Sequence, residues 1–439
     1  MIENSVEKMY CRELGDGISF RYIKESRFKT GCISVHFIMP LSREHVTANA
    51  VLAGMLKRSC EDYPEYTLFR RRLAMHYGAE VSASVSGIGH CQMVTVEISM
   101  PDDRFIPDGE KVSVGCAELL CGMIFRPAKE DDGSIFRSED IETSLRLANE
   151  RITSIINNKG EYAKHRCAAI MCENEAYGIE SGGYAEDLPS ITREVLVEAW
   201  QNMLKSAAVN ILMVGTADGE AVAEKFRSAF GEINREYKQL PPAPAVPEVS
   251  AEREVVERMD VQQSKMVIGM RIPVVEPNGN TMAARLMSML YGGTATSLLF
   301  NNVREKLSLC YYCSSNYLRK NGLIFVQSGL EEVNYQKAVA EIKKQLAVAA
   351  ENKFTDEELA ATKLYAVNAF AEINDSVYSI ERWYALQFMD GSVMTPEEAA
   401  EKISAVTRDE VAECAAKVCV DTIYLLAPEK AEVSEGSEE

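Results

Sequence analysis

The stretch Leu240-Pro-Pro-Ala-Pro-Ala-Val-Pro-Glu-Val-Ser250 stands near the middle of a 439-residue chain. Pro241, Pro242, Pro244 and Pro247 fix φ and remove backbone donors, so neither a helix nor a central strand can run through it. Such a segment favours extended polyproline II, rising about 3.1 Å per residue, and can link two domains lying side by side. It places a linker at 237–252 and divides the rest into 1–236, 253–428 and an acidic tail at 429–439 that reads as disordered.

Outward from the linker, the two sides repeat each other. Cys32 to Met39 reads as a strand ending at Pro40, followed by a helix through Val51 to Leu56. Met266 to Ile272 reads as a strand ending at Pro273, followed by a helix through Ala283 to Leu290. Leu68-Phe69 and Leu299-Phe300 each open an arginine-bearing helix, and alternating strand patterns follow both. Ile191-Thr192-Arg193 and Val406-Thr407-Arg408 each lead into a helix and an apolar strand. The first three landmark pairs keep a near-constant offset. The last pair falls closer, so the first half carries extra residues. Thr355 with Glu358 three residues on reads as a capping box. Strand runs separated by helices predict an α+β fold: two duplicated domains, each a mostly antiparallel sheet with helices packed on one face, facing each other across a cleft.

Composition bounds the function. The chain is 46% hydrophobic and 26% charged, a balance that can bury large cores. A net charge of −19 argues against nucleic acid or an anionic membrane surface as partner. No apolar run approaches the roughly 20 residues of a membrane span. The polar segment Met1–Gly15 is not a secretion signal, and twelve cysteines read as reduced thiols, so a cytoplasmic location is expected. Cys116/Cys121, Cys167/Cys172 and Cys414/Cys419 read as small core residues of helices.

The five histidines, His36, His45, His76, His90 and His165, lack the helical spacing of a zinc site, because none has a histidine four residues on. Cys310-Tyr-Tyr-Cys313 lies in a strand-like run, where alternation would put the two thiols on opposite faces. No dinucleotide fingerprint, P-loop or nucleophile elbow occurs.

The segment from Gly292-Gly293 through Ser297-Leu-Leu-Phe300 to Arg304-Glu-Lys-Leu-Ser-Leu-Cys-Tyr311 is more specific. With it the chain resembles the second half of the M16 metallopeptidases (pitrilysin, insulinase and the mitochondrial processing peptidases). The resemblance extends over nearly the whole chain and implies a LuxS/MPP-like two-half clamshell. The catalytic motif of that family is H-x-x-E-H before Met-Leu. Matched on Met55-Leu56, the first zinc histidine falls on Ala50, the general-base glutamate on Ala53 and the second histidine on Gly54. The third zinc ligand falls near Glu150-Arg151. The best register gives Arg151, and Glu150 would need a one-residue shift. Catalytic zinc takes about three protein ligands. Alanine and glycine side chains offer no donor, and an arginine repels the ion, so no metal or cofactor is expected in this chain.

The family's second-half arginine and tyrosine match Arg304 and Tyr311. The resemblance implies that they reach a bound peptide and the reaction-centre oxygen, as donors to carbonyls and to an oxyanion. Arg304 paired with a nearby carboxylate and Tyr311 packed at a sheet edge is the plainer reading. Gly78 to Val85 would include an edge strand that pairs with extended peptide, or would be an ordinary sheet strand. The pattern implies a subunit inactive alone that supplies Arg304 and Tyr311 to a homologue bearing H-x-x-E-H and zinc, acting on unstructured peptides as a heterodimer. A homodimer in the absence of that partner is the other arrangement. A non-enzymatic assembly subunit is the alternative function.

Overall fold

Thr30–Pro40 reads TGCISVHFIMP, and its alternation sorts two faces. Ile33, Val35 and Phe37 enter one core, while Cys32 enters another on the opposite side. This strand sits near the middle of the larger of two sheets. The fold comes from a computed structural model in which residues 2–3, 9–275, 280–390 and 393–429 are described. The acidic tail expected at 429–439 lies, beyond Glu429, outside the described residues.

The first sheet holds β1 (Ile2–Glu3), β2 (Met9–Gly15), β3 (Ile18–Lys24), β4 (Thr30–Pro40), β5 (Glu80–Ile88), β6 (Cys91–Pro101) and β7 (Ala208–Gly215). Its order is β1-β2-β3-β7-β4-β6-β5. The second holds β8 (Arg253–Met259), β9 (Ser264–Arg271), β10 (Tyr312–Leu318), β11 (Leu323–Leu330) and β12 (Cys419–Pro428), in the order β10-β11-β9-β12-β8. Replacing β3, β7, β4, β6, β5 by β8, β12, β9, β11, β10 turns one order into the other. Each sheet has one parallel pair, β3 with β7 and β8 with β12. The remaining pairs are antiparallel. The duplication legible in the sequence is therefore a duplication of topology, with β1 and β2 added to the first copy.

Helices cover one face of each sheet. On the first, Val46–Leu56, Val112–Phe125 and Arg193–Ser206 bury Leu52, Leu120 and Leu196 in one core with Val35 and Phe37. The capping box forms as predicted: the Glu358 amide donates to Thr355 Oγ1 (3.1 Å), and the Thr355 amide to Glu358 Oε2 (2.7 Å).

The second face of each sheet carries a helix from beyond the linker. The compact units are Met1–Ser154, Ile179–Ala243 and Ala371–Pro396, and Ile155–Gly178, Pro244–Phe370 and Glu397–Glu439. Residues 155–178 thus leave the first half to join the second sheet, and 371–396 leave the second half to join the first. This differs from a division at the linker alone. The physical reason is that both faces of a central sheet need cover, and each half's own helices cover one. On the second sheet, helix Lys159–Met171 buries Cys167 and Met171 against Val267, Phe325 and Tyr424. Arg271 on β9, 5% exposed, fastens that segment. Its Nε donates to Asp421 (2.7 Å), and Nη2 donates to the Met171 carbonyl (3.0 Å) and to Glu175 (2.5 Å). Burial opposes its charge, but these acceptors hold the guanidinium above its ordinary pKa.

On the first sheet, helix Val377–Ala385 buries Val377, Ile380 and Tyr384 against Ile23, Cys32, Leu212 and Val214. A polar cluster sits inside this apolar contact. Glu381 Oε1 lies 2.7 Å from His36 Nε2 and accepts from the Ser34 hydroxyl at 2.6 Å. His36 Nδ1 lies 2.9 Å from the Thr95 hydroxyl. Glu97, the β6 residue opposite Ser34, faces the same cluster. Burial, followed by the Glu381 charge, pushes Glu97 up to about 7, and His36 opposes the rise.

The unfolded glutamate titrates near about 4.3, so the folded value is raised. The stability Glu97 brings is fully present below that pH and is lost as pH rises through about 7. Glu97→Gln cannot ionise. It is expected to flatten this slope and to stabilise the chain at pH 8 by on the order of 2 kcal/mol. Urea denaturation from pH 5 to pH 8 checks it, and wild-type stability no steeper than the variant's contradicts it.

One turn depends on glycine. Gly322 closes the hairpin of β10 and β11 at φ +63°, and a Cβ there would overlap the Ile272 carbonyl oxygen. That carbonyl cannot move freely, because the Ile272 amide donates to the Gly322 carbonyl at 2.8 Å. Gly322→Ala is expected to cost about 1–3 kcal/mol, read as a lowered denaturation midpoint. No helix among the described residues is long and apolar enough to cross a membrane.

Candidate functional site

The helix Val46–Leu56 is buried along nearly its whole length. It starts from His45 without a side-chain cap, and neighbouring side chains order its first turn instead. Thr47 donates to Asp187 (2.5 Å), and Asn49 donates to Gln92 (2.9 Å). Gln92 in turn donates to the carbonyls of Val46 and Ser181. Ala50, Ala53 and Gly54 lie three and four apart, so they share one face. Ala50 and Ala53 are each 1% exposed, and a Cβ on Gly54 would meet Ser144 of helix Ser138–Ser154 at 3.7 Å.

That contact sets the Ser138–Ser154 helix against the face of Ala50, Ala53 and Gly54. On the Ser138–Ser154 helix, Ala148 and Arg151 follow Ser144 by four and seven residues and share its face, whereas Glu150 turns away at about 100° per residue. Glu150 pairs with Arg146 one turn back, at 2.6 Å, and both are exposed. Arg151 reaches the Gly182 carbonyl at 3.3 Å. Burial and then the Arg151 charge hold the Lys57 ammonium below its usual range. This region therefore gathers Ala50, Ala53, Gly54, a buried Ser144 hydroxyl without a partner, and two cations. Zn²⁺ needs anionic or imidazole donors, so these residues do not fit it. Among the described residues, no group of three histidine, cysteine or carboxylate side chains is placed to hold a metal. Two of the histidines are placed apart: His36 meets Glu381, and His76 sits in a buried site beside Gly115, where burial and then the Arg72 charge lower its pKa.

The second-half segment builds a different surface. Helix Thr281–Ser288 is capped by the Asn280 side chain and runs into a wider turn, Met289–Gly293. Gly292 lets that turn approach β10, since a Cβ there would fall 2.7 Å from the Ser315 amide nitrogen. Ser297 caps the following turn by accepting from the Phe300 amide at 3.3 Å. Phe300–Lys306 is a π-helical turn, a form enriched at functional sites. Arg304 lies on it, its guanidinium 4.6 Å from the Phe300 ring centre and 3.5 Å from the adjacent Glu305. Ser308, at φ +50°, reverses the chain, and the Tyr311 amide donates to the Gly329 carbonyl at 2.8 Å. The Tyr311 side chain is 58% exposed, and its hydroxyl lies 3.3 Å from Glu331.

Both polar heads thus reach solvent and rest on weak, exposed carboxylate partners. Such contacts are worth about 0–1 kcal/mol, so a ligand can displace them. This resting geometry contains the plainer sequence reading, a nearby acid for Arg304 and a sheet edge for Tyr311, and leaves both groups available. In the first sheet, β5 lies at the edge and pairs with β6 alone among the described strands. Its exposure alternates from Glu80 to Val85, and its outer row of amides and carbonyls is an unpaired template.

The fold defines a class: a duplicated five-stranded α+β unit with a degenerate helix in one copy and an Arg/Tyr turn in the other. The family model described as Peptidase M16 inactive domain matches residues 190–364, which include Arg304 and Tyr311. YmfF of Bacillus subtilis, named a probable inactive metalloprotease, is 28% identical over 410 residues, covering 93% of this chain and 96% of that protein. An uncharacterized zinc protease of Streptomyces coelicolor is 21% identical over 303 residues, covering 67% of this chain and 64% of its own length. Among solved structures, a conserved protein from Enterococcus faecalis superposes with a TM-score of 0.88 at 24% identity, covering 96% of this chain and 99% of that one. The peptidase M16 inactive domain from Pseudomonas fluorescens superposes with a TM-score of 0.76 at 14% identity, covering 96% and 98%. The chain is thus similar to the M16 peptidase inactive domain over residues 190–364 and, over nearly its whole length, to a probable inactive metalloprotease.

Proposed function

We propose that this chain is the zinc-less, substrate-binding subunit of a two-chain cytoplasmic M16-type peptidase. Its partner would be a homologue carrying H-x-x-E-H, which brings the metal and the general base. This chain would contribute Arg304, Tyr311 and the β5 edge to an extended, unstructured peptide. The observation that carries the reading is the contrast between the two copies. Ala50, Ala53, Gly54 and Arg151 offer no metal donor, while Arg304, on the Phe300–Lys306 turn, and Tyr311, after Ser308, keep their donor heads exposed.

The roles follow from the side chains. Arg304 presents a fork of donors to peptide carbonyls. Tyr311 presents a single O–H that can donate to an oxygen as it gains charge. The β5 edge would hold the peptide main chain and so tolerate many sequences. The test is to purify the chain alone and together with an H-x-x-E-H homologue from the same genome, then assay unstructured peptides. Hydrolysis only by the mixture supports the reading. A stable complex with no hydrolysis favours an assembly subunit instead. Chelator-sensitive hydrolysis by this chain alone overturns it.

A further inference from the structure

Three helices of the first unit, Tyr66–Met75, Val112–Phe125 and Gly219–Gly231, line a cleft of about 400 Å³. Small-ligand sites commonly enclose about 300–1,000 Å³. Tyr63, Leu119 and Phe125 give the cleft an apolar wall, and Phe230 holds the Phe125 ring edge-on at 4.7 Å.

The charges say what could fill it. Arg126 Nη2 pairs with Asp62 Oδ2 at 2.8 Å, and Lys225 Nζ with Glu118 Oε1 at 2.5 Å. Those four groups cancel. Arg72 and Glu232 remain on the same cleft, one charge of each sign, with no ion-pair partner among the described residues. Arg72 is half-buried, and its guanidinium lies 5.9 Å from the Tyr63 ring centre, which steadies it but supplies no carboxylate. A cation drawn partly out of water without an anion is a group still to be satisfied. Glu232 follows the last turn of helix Gly219–Gly231 and is exposed.

A second group on the Arg72 wall is also unspent. His76 lies one helical turn past Arg72 and shares its face. It is 3% exposed, and neither ring nitrogen has a hydrogen-bond partner among the described residues. A Cβ built on Gly115 would stand 2.6 Å from His76 Cε1, and 3.4 and 3.5 Å from Nδ1 and Nε2. The ring edge that carries both nitrogens therefore turns to Gly115, itself a lining residue of the cleft.

We propose that this cleft binds a short zwitterionic peptide with apolar side chains, its carboxylate on Arg72 and its ammonium toward Glu232. Arg72 can offer the carboxylate two parallel N–H donors. Tyr63, Leu119 and Phe125 take the apolar side chains. One free cation suits a head with a single negative charge. A phosphate, carrying about two charges, would meet Asp62, Glu118 and Glu232 with only Arg72 to answer them. The site lies wholly within the first unit and shares no residue with Arg304, Tyr311 or β5, so it does not depend on the function proposed above.

The test titrates leucyl-phenylalanine into the full chain by calorimetry at pH 7. One saturable site per chain is expected, and the His76 ring resonance should move along the same binding curve. Amidating the peptide carboxylate, or Arg72→Met in the chain, should each weaken binding by roughly tenfold or more, the loss of charge-assisted hydrogen bonds. N-acetylation of the peptide and Glu232→Gln should weaken it less, because Glu232 is exposed. Arg70→Met, on the exposed side of the same helix, and Arg304→Ala should leave it unchanged. Amidation alters the peptide alone, so the result does not hang on the folding of a variant. No saturable binding at millimolar peptide overturns the proposal, and so does binding that amidation leaves intact. Loss of binding in Arg304→Ala overturns it too, by placing the peptide elsewhere.

Discussion

Glu381→Ala is expected to destabilise the first unit by about 3–5 kcal/mol, the cost of removing one partner from a buried charged cluster. Glu381 is 5% exposed and lies on helix Val377–Ala385, where its oxygen meets both His36 and Ser34. Truncation strands the imidazole and the Ser34 hydroxyl in a buried, apolar contact. Against burial, the His36 and Ser34 hydrogen bonds hold the Glu381 carboxyl below its usual range. A depressed value gives the opposite sign to Glu97: Glu381 contributes stability above the unfolded carboxylate pKa, lost as pH falls through its folded value. Denaturation at neutral pH should therefore show a large drop for Glu381→Ala, and hydrogen exchange should show lost protection in 377–385 before the rest of the unit. A change below about 1 kcal/mol would mean the cluster is solvated, contrary to its burial.

The second large effect concerns activity. In the mixture with an H-x-x-E-H homologue, Arg304→Ala and Tyr311→Phe are each expected to lower kcat by about 10²–10³-fold, the usual cost of one donor to developing charge. Neither head is a structural anchor: Arg304 rests on the Phe300 ring and beside Glu305, and the Tyr311 hydroxyl has a long contact to Glu331. Denaturation midpoints should thus stay near wild type while turnover falls. Tyr311→Phe is the sharper variant, since it keeps the ring and removes one hydroxyl. Undiminished turnover in both variants, with the complex intact, would remove these residues from the reaction and leave only a binding role.

The residue pattern gave the duplication because it depends on local order, in which a strand ends at proline and a helix follows. The two strand orders then match element for element. The pattern could not show that 155–178 and 371–396 cross to the other sheet. An amphipathic helix announces an apolar face, but its sequence does not say which sheet that face covers. The His36–Glu381 pair was out of reach for the same reason, because its members lie 345 residues apart. The choice between Arg151 and Glu150 was open in the sequence, which could not show that Ser144, four and seven residues before Ala148 and Arg151, faces Gly54. Alternation does not govern the C-x-x-C pair because β10 begins only at Tyr312, which leaves Cys310 outside the strand.

The account stands on a first-half helix that cannot hold metal. The most direct measurement is zinc content per chain, taken by plasma mass spectrometry after incubation with excess zinc and gel filtration. The account predicts no stoichiometric zinc, in the wild type and in Glu150→Ala alike. One tightly held zinc per wild-type chain, lost in Glu150→Ala, would contradict it.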